Sequence, residues 1–205
     1  MERKVSCFTL CAEKAQGAAD SLKQRLNCET INFGDVSSFA AEAVALVGNG
    51  GFVVAAAPVD VFLNAKFRLL KSLSLKIVKS NKILTAAGEN LPENAKERDL
   101  QCAVPEKSKV YLTLDGLFSA FSVDIGSGTL VFVPLDKDML EQVFASGLEK
   151  LFPAPKKTKM QVVREKMRRS LAAPQGVRIY GLPAGAEPVS ALARRHSRPE
   201  SRPRQ

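Results

Sequence analysis

One strand-to-helix corner in this sequence offers polar side chains to a ligand. The segment AAAPVDVFLN, residues 55–64, follows a strongly apolar run and leads into a helical pattern. Asp60, Asn64 and Lys66 come directly after it, and Asp60 could hold a metal ion or a ribose hydroxyl. Two other interpretations remain open. An acid in the first turn of a helix is favoured by the helix dipole, and Lys66 fits the solvent-facing side of the helix.

A second corner, residues 133–138 (VPLDKD), adds two carboxylates after another apolar run. Asp136 and Asp138 could act as an acid pair, and Asp136 is equally well placed to cap the helix that follows. Acids two positions apart are common, and no third ligand is evident beside them. The two corners together form the candidate site, because α/β proteins bind ligands at the carboxyl ends of their strands.

The amino-acid composition argues against several kinds of catalytic and metal-binding site. The only histidine is His196, in the Arg- and Pro-rich last part of the chain, so Ser-His-Asp and Cys-His catalysis are excluded. Four scattered cysteines, without an export signal, are predicted to be reduced and not to bind metal. The chain has no apolar run long enough to span a membrane, and we expect a cytoplasmic protein.

Hydrophobic periodicity predicts alternating strands and helices. The predicted strands are 5–10, 30–33, 52–56, 75–78, 82–85, 110–114, 118–123 and 129–133. The predicted helices are 15–26, 38–47, 61–73 and 137–151, with a loop over 88–98 and a hairpin tip at 126–128. This order predicts an α/β fold: three layers, α/β/α, with a mostly parallel sheet and a β-hairpin excursion.

Charge divides the chain in two. Residues 1–150 hold 17 basic and 18 acidic residues, a balance of −1, whereas residues 151–205 hold 13 and 3, a balance of +10. We therefore expect a domain over 1–152 and a basic extension over 153–205, with an amphipathic helix at 158–171 and a disordered Arg/Pro-rich end. The extension is interpreted as a solvated tail, as a contact for nucleic acid or acidic partners, or as a segment foreign to the domain.

The order of elements and one long segment resemble a known family. The pattern IPEGAxVxxNxxGxAPGFxxxxxGxxxxxLPGxPxEM has a counterpart in VPEKSKVYLTLDGLFSAFSVDIGSGTLVFVPLDKDML, residues 104–140. The residues in step are Pro105, Glu106, Val110, Gly116, Phe121, Gly128 and Pro134. Through about residues 3–150 the chain resembles the MoaB/MogA-like molybdopterin-binding domain, in the form found in the N-terminal half of CinA proteins.

The resemblance also marks departures at the positions that it implies for a ligand. The family's paired glycines are replaced by Ala56 and Ala57, and alanine restricts the close approach of backbone N–H groups to a phosphate. In the middle loop, Asp115 and Gly116 form a turn, and Ser119 stands where the family has proline. The glycine after Pro134 is absent. Positions that form the fold are retained, and positions that bind the ligand are largely changed.

Three functions follow from these observations. The first is a divergent CinA-like module that binds a nucleotide or pterin weakly or not at all, with homo-oligomer formation implied by the resemblance. The second is a metal-dependent pyrophosphatase acting on a nucleotide such as ADP-ribose with Mg²⁺, which the changed ligand positions disfavour. The third is a nucleic-acid-associated protein that acts through its basic extension.

Overall fold

The computed structural model describes residues 5–152, and these form one six-stranded sheet with helices on both faces. The strands are β1 Val5–Leu10, β2 Thr30–Phe33, β3 Phe52–Ala57, β4 Ile77–Lys79, β5 Ala103–Pro105, β6 Lys109–Tyr111, β7 Ala120–Ile125 and β8 Gly128–Pro134. The α-helices are α1 Gln16–Leu26, α2 Val36–Gly48, α3 Val59–Ser72, α4 Asn81–Ala87, α5 Ala95–Cys102 and α6 Lys137–Ala145. Short 3₁₀ turns cover Ala12–Ala15, Gly88–Asn90 and Leu148–Leu151.

The main sheet has the order β2-β1-β3-β8-β7-β6. Its first four strands are parallel; β7 then pairs with β8, and β6 pairs with β7, both in antiparallel fashion. A separate antiparallel ribbon pairs β4 with β5. Because β3 is apolar and buried at every position, it lies at the centre of the sheet, as such strands do in parallel sheets. The predicted three-layer α/β fold is confirmed.

Each face of the sheet carries its own core. Helices α1 and α6 pack on one face, around Leu22, Val131 and Leu140. Helices α2 to α5 cover the other face, where a cluster of phenylalanines packs, including Phe39, Phe62 and Phe132. Phe62 on α3 lies 4.7 Å from Phe132 on β8, centroid to centroid, and joins the helix to the sheet.

The predicted elements differ from the structure mainly in the region between α3 and β6. Residues 82–85, predicted as a strand, belong to α4, because the Ser80 hydroxyl caps the helix by accepting from Ile83 N. Ile83 and Ala87 are buried four positions apart, on one face of this helix. A run of seven residues is too short for periodicity to separate strand from helix.

The predicted loop 88–98 is also partly helical. Asn94 caps α5, its Oδ1 accepting from Lys96 N and Glu97 N at 2.9 and 3.4 Å. Beyond it, the segment AKERDLQC is rich in good helix formers. Several bounds also change. The strand predicted over 75–78 is Ile77–Lys79, β6 ends at Tyr111, β7 begins at Ala120, and α6 ends at Ala145 and not at 151. The helix predicted over 158–171 lies outside the described residues.

Candidate functional site

Both corners predicted from the sequence lie at the end of the main sheet where the parallel strands finish. We call this end, formed by the carboxyl ends of the strands, the strand edge. Ala56 is in register with Val133, and Ala57 with Pro134, so the carboxyl ends of β3 and β8 meet. Strand β7 runs antiparallel to β8 and starts opposite Val133, which brings the loop before it to the same edge. The edge therefore gathers most of the predicted site residues: Ala56, Ala57, Asp60, Asp115, Gly116, Ser119, Pro134, Asp136 and Asp138.

The corner after β3 is closely packed. Ala56 and Ala57 are completely buried, and the next residue, Pro58, is buried as well. Ala57 O accepts a hydrogen bond of 2.7 Å from Leu135 N, which extends the β3–β8 pairing past the end of the strands. The methyl group of Ala56 packs into the core on one face of the sheet and that of Ala57 into the core on the other face.

The crevice between β1 and β3 is bridged by an ion pair. Lys14 Nζ, after β1, lies 2.9 Å from Asp60 Oδ2, in the first turn of α3. Both side chains are about half exposed, at 53% and 54%. The hydrogen bond with Lys14 holds the pKa of Asp60 below its usual value and raises the pKa of Lys14. The connections after β1 and β3 leave toward opposite faces of the sheet, so this crevice is a topological switch point.

Two further polar residues at the same end of the sheet, on the β2 side of β1, were not predicted from the sequence. Asn32, on β2, accepts from Ala12 N at 2.9 Å and donates from Nδ2 to Glu13 Oε2 at 3.2 Å. Asn32 and Glu13, like Lys14, belong to segments that follow or end neighbouring parallel strands, so the strand order brings them to the same end of the sheet. Their positions at the ends of predicted parallel strands were the only signal available.

The corner after β8 uses its first carboxylate as a cap. Asp136 Oδ1 accepts from Asp138 N and Met139 N at 3.1 and 3.0 Å, which is N-cap geometry for α6. Asp138 is exposed in the first turn of the same helix. Among residues 5–152, no three His, Cys, Asp or Glu side chains converge as metal ligands would.

The loop between β6 and β7 is held by its own side chains. Asp115 Oδ1 accepts from the Thr113 hydroxyl at 2.8 Å and from Leu117 N at 2.9 Å. The Ser119 hydroxyl donates to Gly116 O at 3.0 Å. Gly116 has φ +72°, and a Cβ there would lie 2.3 Å from the Ala87 backbone nitrogen. These contacts serve the turn and its packing on α4.

Lys66 does not belong to the edge, which corrects the prediction that it lies on a solvated helix face. Its side chain is 1% exposed, and Nζ donates to Gln101 O, near the end of α5, at 2.7 Å. Burial lowers the pKa of Lys66 to about 7. The reason for the burial is periodicity, because Phe62, Lys66 and Leu69 share one stripe of α3. Asn64 lies on the exposed side of the same helix.

Comparison with known proteins gives a match in structure and none in sequence. No family model matches the chain, and no curated protein matches it. Among solved structures, the crystal structure of CinA, a protein of unknown function from Thermoplasma acidophilum, matches with a TM-score of 0.57. The match covers 74% of this chain and 99% of that chain, at 13% identity. The fold is CinA-like.

Carboxylates at the strand edge make this end of the sheet electrostatically unfavourable for a phosphate. Four α-helices follow the parallel strands at this end, and three of them, α2, α3 and α6, carry a carboxylate in their cap or first turn: Asp35, Asp60 and Asp136. The fourth, α1, has no acid in its first turn. Asp35 Oδ1 accepts from Ser37 N and Ser38 N at 2.9 Å, and these bonds lower its pKa. An anion at these helix ends would have to displace the chain's own carboxylates.

No helix among the described residues is both long enough and apolar enough to cross a membrane.

Proposed function

We propose that this chain is a CinA-like binding module that does not hydrolyse diphosphates. Its edge crevice takes the uncharged, hydrogen-bonding part of a nucleotide or pterin ligand, a ribose or a ring edge. The observation that carries the proposal is the placement of a carboxylate at the start of three of the four helices along the edge, in Asp35, Asp60 and Asp136.

Diphosphate hydrolysis requires groups that neutralise charge on the phosphates. A divalent cation and preorganised donors normally supply this stabilisation. At this edge Ala56 and Ala57 are buried, Ala57 O is bonded to Leu135 N, and Asp136 is occupied as a helix cap. Mg²⁺ would find Asp60 and Asp138 on separate helices, without a convergent third ligand among residues 5–152. These features favour binding over turnover.

The crevice between β1 and β3 nevertheless offers suitable partners for neutral polar groups. Asp60 can accept from ribose hydroxyls or from the N–H groups of a pterin ring, and Lys14 can donate to a ring carbonyl. Their ion pair is exposed, and such pairs are weak in water, so a ligand can open it easily. Glu13 precedes Lys14 in the chain and is bonded to Asn32 on β2, so exposed polar groups continue past β1 at this end of the sheet.

The test compares adenosine, ADP-ribose and neopterin on the full chain, by calorimetric titration with and without Mg²⁺, with product analysis of the same samples. We expect no hydrolysis, and we expect ADP-ribose to bind the crevice no more tightly than adenosine. Asp60→Asn should weaken adenosine binding about fivefold or more, and Glu42→Gln, an exposed acid on α2, should not. Mg²⁺-dependent product that disappears in Asp60→Asn or Asp136→Asn would establish the enzyme instead.

A second candidate function follows from the charge of residues 151–205, which sum to +10. We propose that this segment contacts nucleic acid or another polyanion through its lysines and arginines. Binding of a short RNA or DNA duplex should then fall steeply between 50 and 200 mM salt. Replacing Arg194, Arg195 and Arg198 with glutamine should reduce the salt slope. A shallow slope that is unchanged by these substitutions would contradict this function.

A further inference from the structure

A basic cavity lies away from the strand edge, between the β4–β5 ribbon, the start of α4 and the turn before β6. Its volume is about 220 Å³. Lys82 and Lys107 line it from two different segments, and none of the described residues that line it is acidic. A cavity of this size fits a small ligand or one end of a larger one, since sites for drug-sized molecules are larger.

The two lysines are available to an incoming anion. The neighbouring carboxylates are already paired, Asp99 with Lys79 at 2.7 Å and Glu106 with Lys76 at 2.9 Å. Within residues 5–152, neither Lys82 nor Lys107 forms a salt bridge. The hydrogen bond from Lys76 is the main cause of the lowered pKa of Glu106, and the charge of Lys107 lowers that pKa less.

Hydroxyl groups in the cavity wall supply further donors. Ser108 lines the cavity, and its Oγ is buried without a hydrogen-bond partner among the described residues. Buried polar atoms are nearly always paired, so this one calls for an explanation. A serine hydroxyl can change rotamer to meet a ligand. Ser80 also lines the cavity; its Oγ accepts from Ile83 N, and its hydroxyl hydrogen can be donated to a ligand.

Apart from Asn81, the remaining lining residues of the cavity are apolar, and a second surface hollow lies beside it. Val78, Val104 and Val110 form the apolar part of the wall. The second hollow, of about 430 Å³, shares Asn81 and Lys82 with the first and is lined mainly by apolar surface, including Leu112. A ligand held at the lysines can therefore extend an apolar body along α4.

We propose that this groove is a binding site for a small molecule that carries one oxyanion, a phosphate or a carboxylate, on a short apolar body. The oxyanion lies between Lys82 and Lys107 and accepts from the hydroxyls of Ser80 and Ser108. Charge-assisted hydrogen bonds from both ammonium groups give the site its preference for anions. This site is independent of the strand-edge crevice, and its failure would leave the function proposed above untouched.

The backbone conformation of Lys107 allows its charge to be removed by a substitution that keeps the turn folded. Ser108 N donates to Pro105 O at 3.1 Å and closes a turn in which Lys107 has φ +67°. Glycine adopts this conformation without steric cost. Lys107→Gly is therefore expected to fold at least as well as the wild type while losing one ammonium group.

The experiment follows amide chemical shifts of the full chain as phenyl phosphate, benzoate or inorganic phosphate is added at 100 mM NaCl. We expect saturable shifts at Ser80, Asn81 and Ser108, with phenyl phosphate binding at least threefold more tightly than inorganic phosphate. Lys107→Gly and Lys82→Gln should each weaken phenyl phosphate about fivefold or more. Ser108→Ala should weaken it about threefold, and the control Lys96→Gln, an exposed lysine on α5, should leave it unchanged.

Three results would overturn the proposal. Shifts confined to residues 153–205 would assign the binding to the basic extension. Shifts at Ala57 and Asp60 that persist in Lys107→Gly would place the anion at the strand edge. Equal affinities for wild type, Lys82→Gln and Lys107→Gly would show that the groove contributes nothing. Benzoate and phenyl phosphate distinguish a carboxylate site from a phosphate site, and tighter binding of either one supports the groove.

Discussion

Replacing Lys66 with methionine is expected to stabilise the protein near neutral pH. Lys66 is 1% exposed, and its ammonium has one hydrogen-bond acceptor in the described structure, Gln101 O at 2.7 Å. Methionine has a similar length and adapts well to irregular packing. The substitution therefore removes a buried charge without opening a large cavity.

The magnitude follows from two opposing contributions. Burial lowers the pKa of Lys66 from 10.5 to about 7, and at about 1.4 kcal/mol per pKa unit this is a penalty of roughly 5 kcal/mol on the charged form. Losing the hydrogen bond leaves Gln101 O without its partner, at about 1–3 kcal/mol. At pH 6, where Lys66 is charged in both the folded and the unfolded chain, Lys66→Met should be more stable by about 2–4 kcal/mol.

The same reasoning fixes the pH dependence. Between pH 7 and 10.5 the unfolded chain keeps the Lys66 proton and the folded chain releases it, so the stability of the wild type rises with pH across this window. The penalty disappears near pH 10.5, and only the lost hydrogen bond remains. The stability difference between variant and wild type should therefore shrink with pH and change sign at about pH 9.

Urea denaturation of both proteins between pH 6 and 10.5 measures this directly, from midpoints and slopes. Lys71→Met is the matched control, since Lys71 lies on the same helix and is exposed. Its effect should be small and independent of pH. A stability difference for Lys66→Met that stays constant from pH 6 to 10.5 would refute the reasoning, as would a loss of stability at pH 6.

Two further predictions concern the strand edge. Asp136→Ala should lower the free energy of unfolding by about 1 kcal/mol, because α6 loses its N-cap, and Asp138→Ala should change it by less than about 0.5 kcal/mol. Urea denaturation that shows equal effects would contradict the capping role. Gly116→Ala should cost about 2–4 kcal/mol, because φ is +72° and the new Cβ would meet Ala87 N at 2.3 Å. A thermal midpoint unchanged from the wild type would exclude that contact.

The main architecture could be predicted because its signals are local. The segment FVVAAA is apolar throughout, which marks β3 as a central strand, and Asp35 precedes α2 as a capping residue should. The order of strands and helices up to α3 then implies a parallel sheet. Helices α4 and α5 were missed because seven and eight residues carry too little periodicity to outweigh their polar surroundings.

The candidate site was only partly predictable, for two different reasons. The burial of Lys66 was readable in principle, since it shares the stripe of Phe62 and Leu69, but a lysine is usually assigned to solvent by its charge. The Lys14–Asp60 pair joins residues 46 positions apart, and it exists only because β1 and β3 are neighbours in the sheet. Strand order is a long-range property that no local pattern encodes.

A CinA-like fold is compatible with only 13% identity because the fold itself requires few particular residues at this edge. The close pairing of β3 with β8 needs small or apolar residues at the corner, and Ala56 and Ala57 meet that need. The helix starts need a capping group, and Asp35 and Asp136 supply it from within the chain. A glycine loop and vacant helix ends would serve a phosphate ligand but would stabilise the empty protein less. The edge of this chain is therefore built for its own stability, which agrees with a module that binds neutral groups there and anions elsewhere.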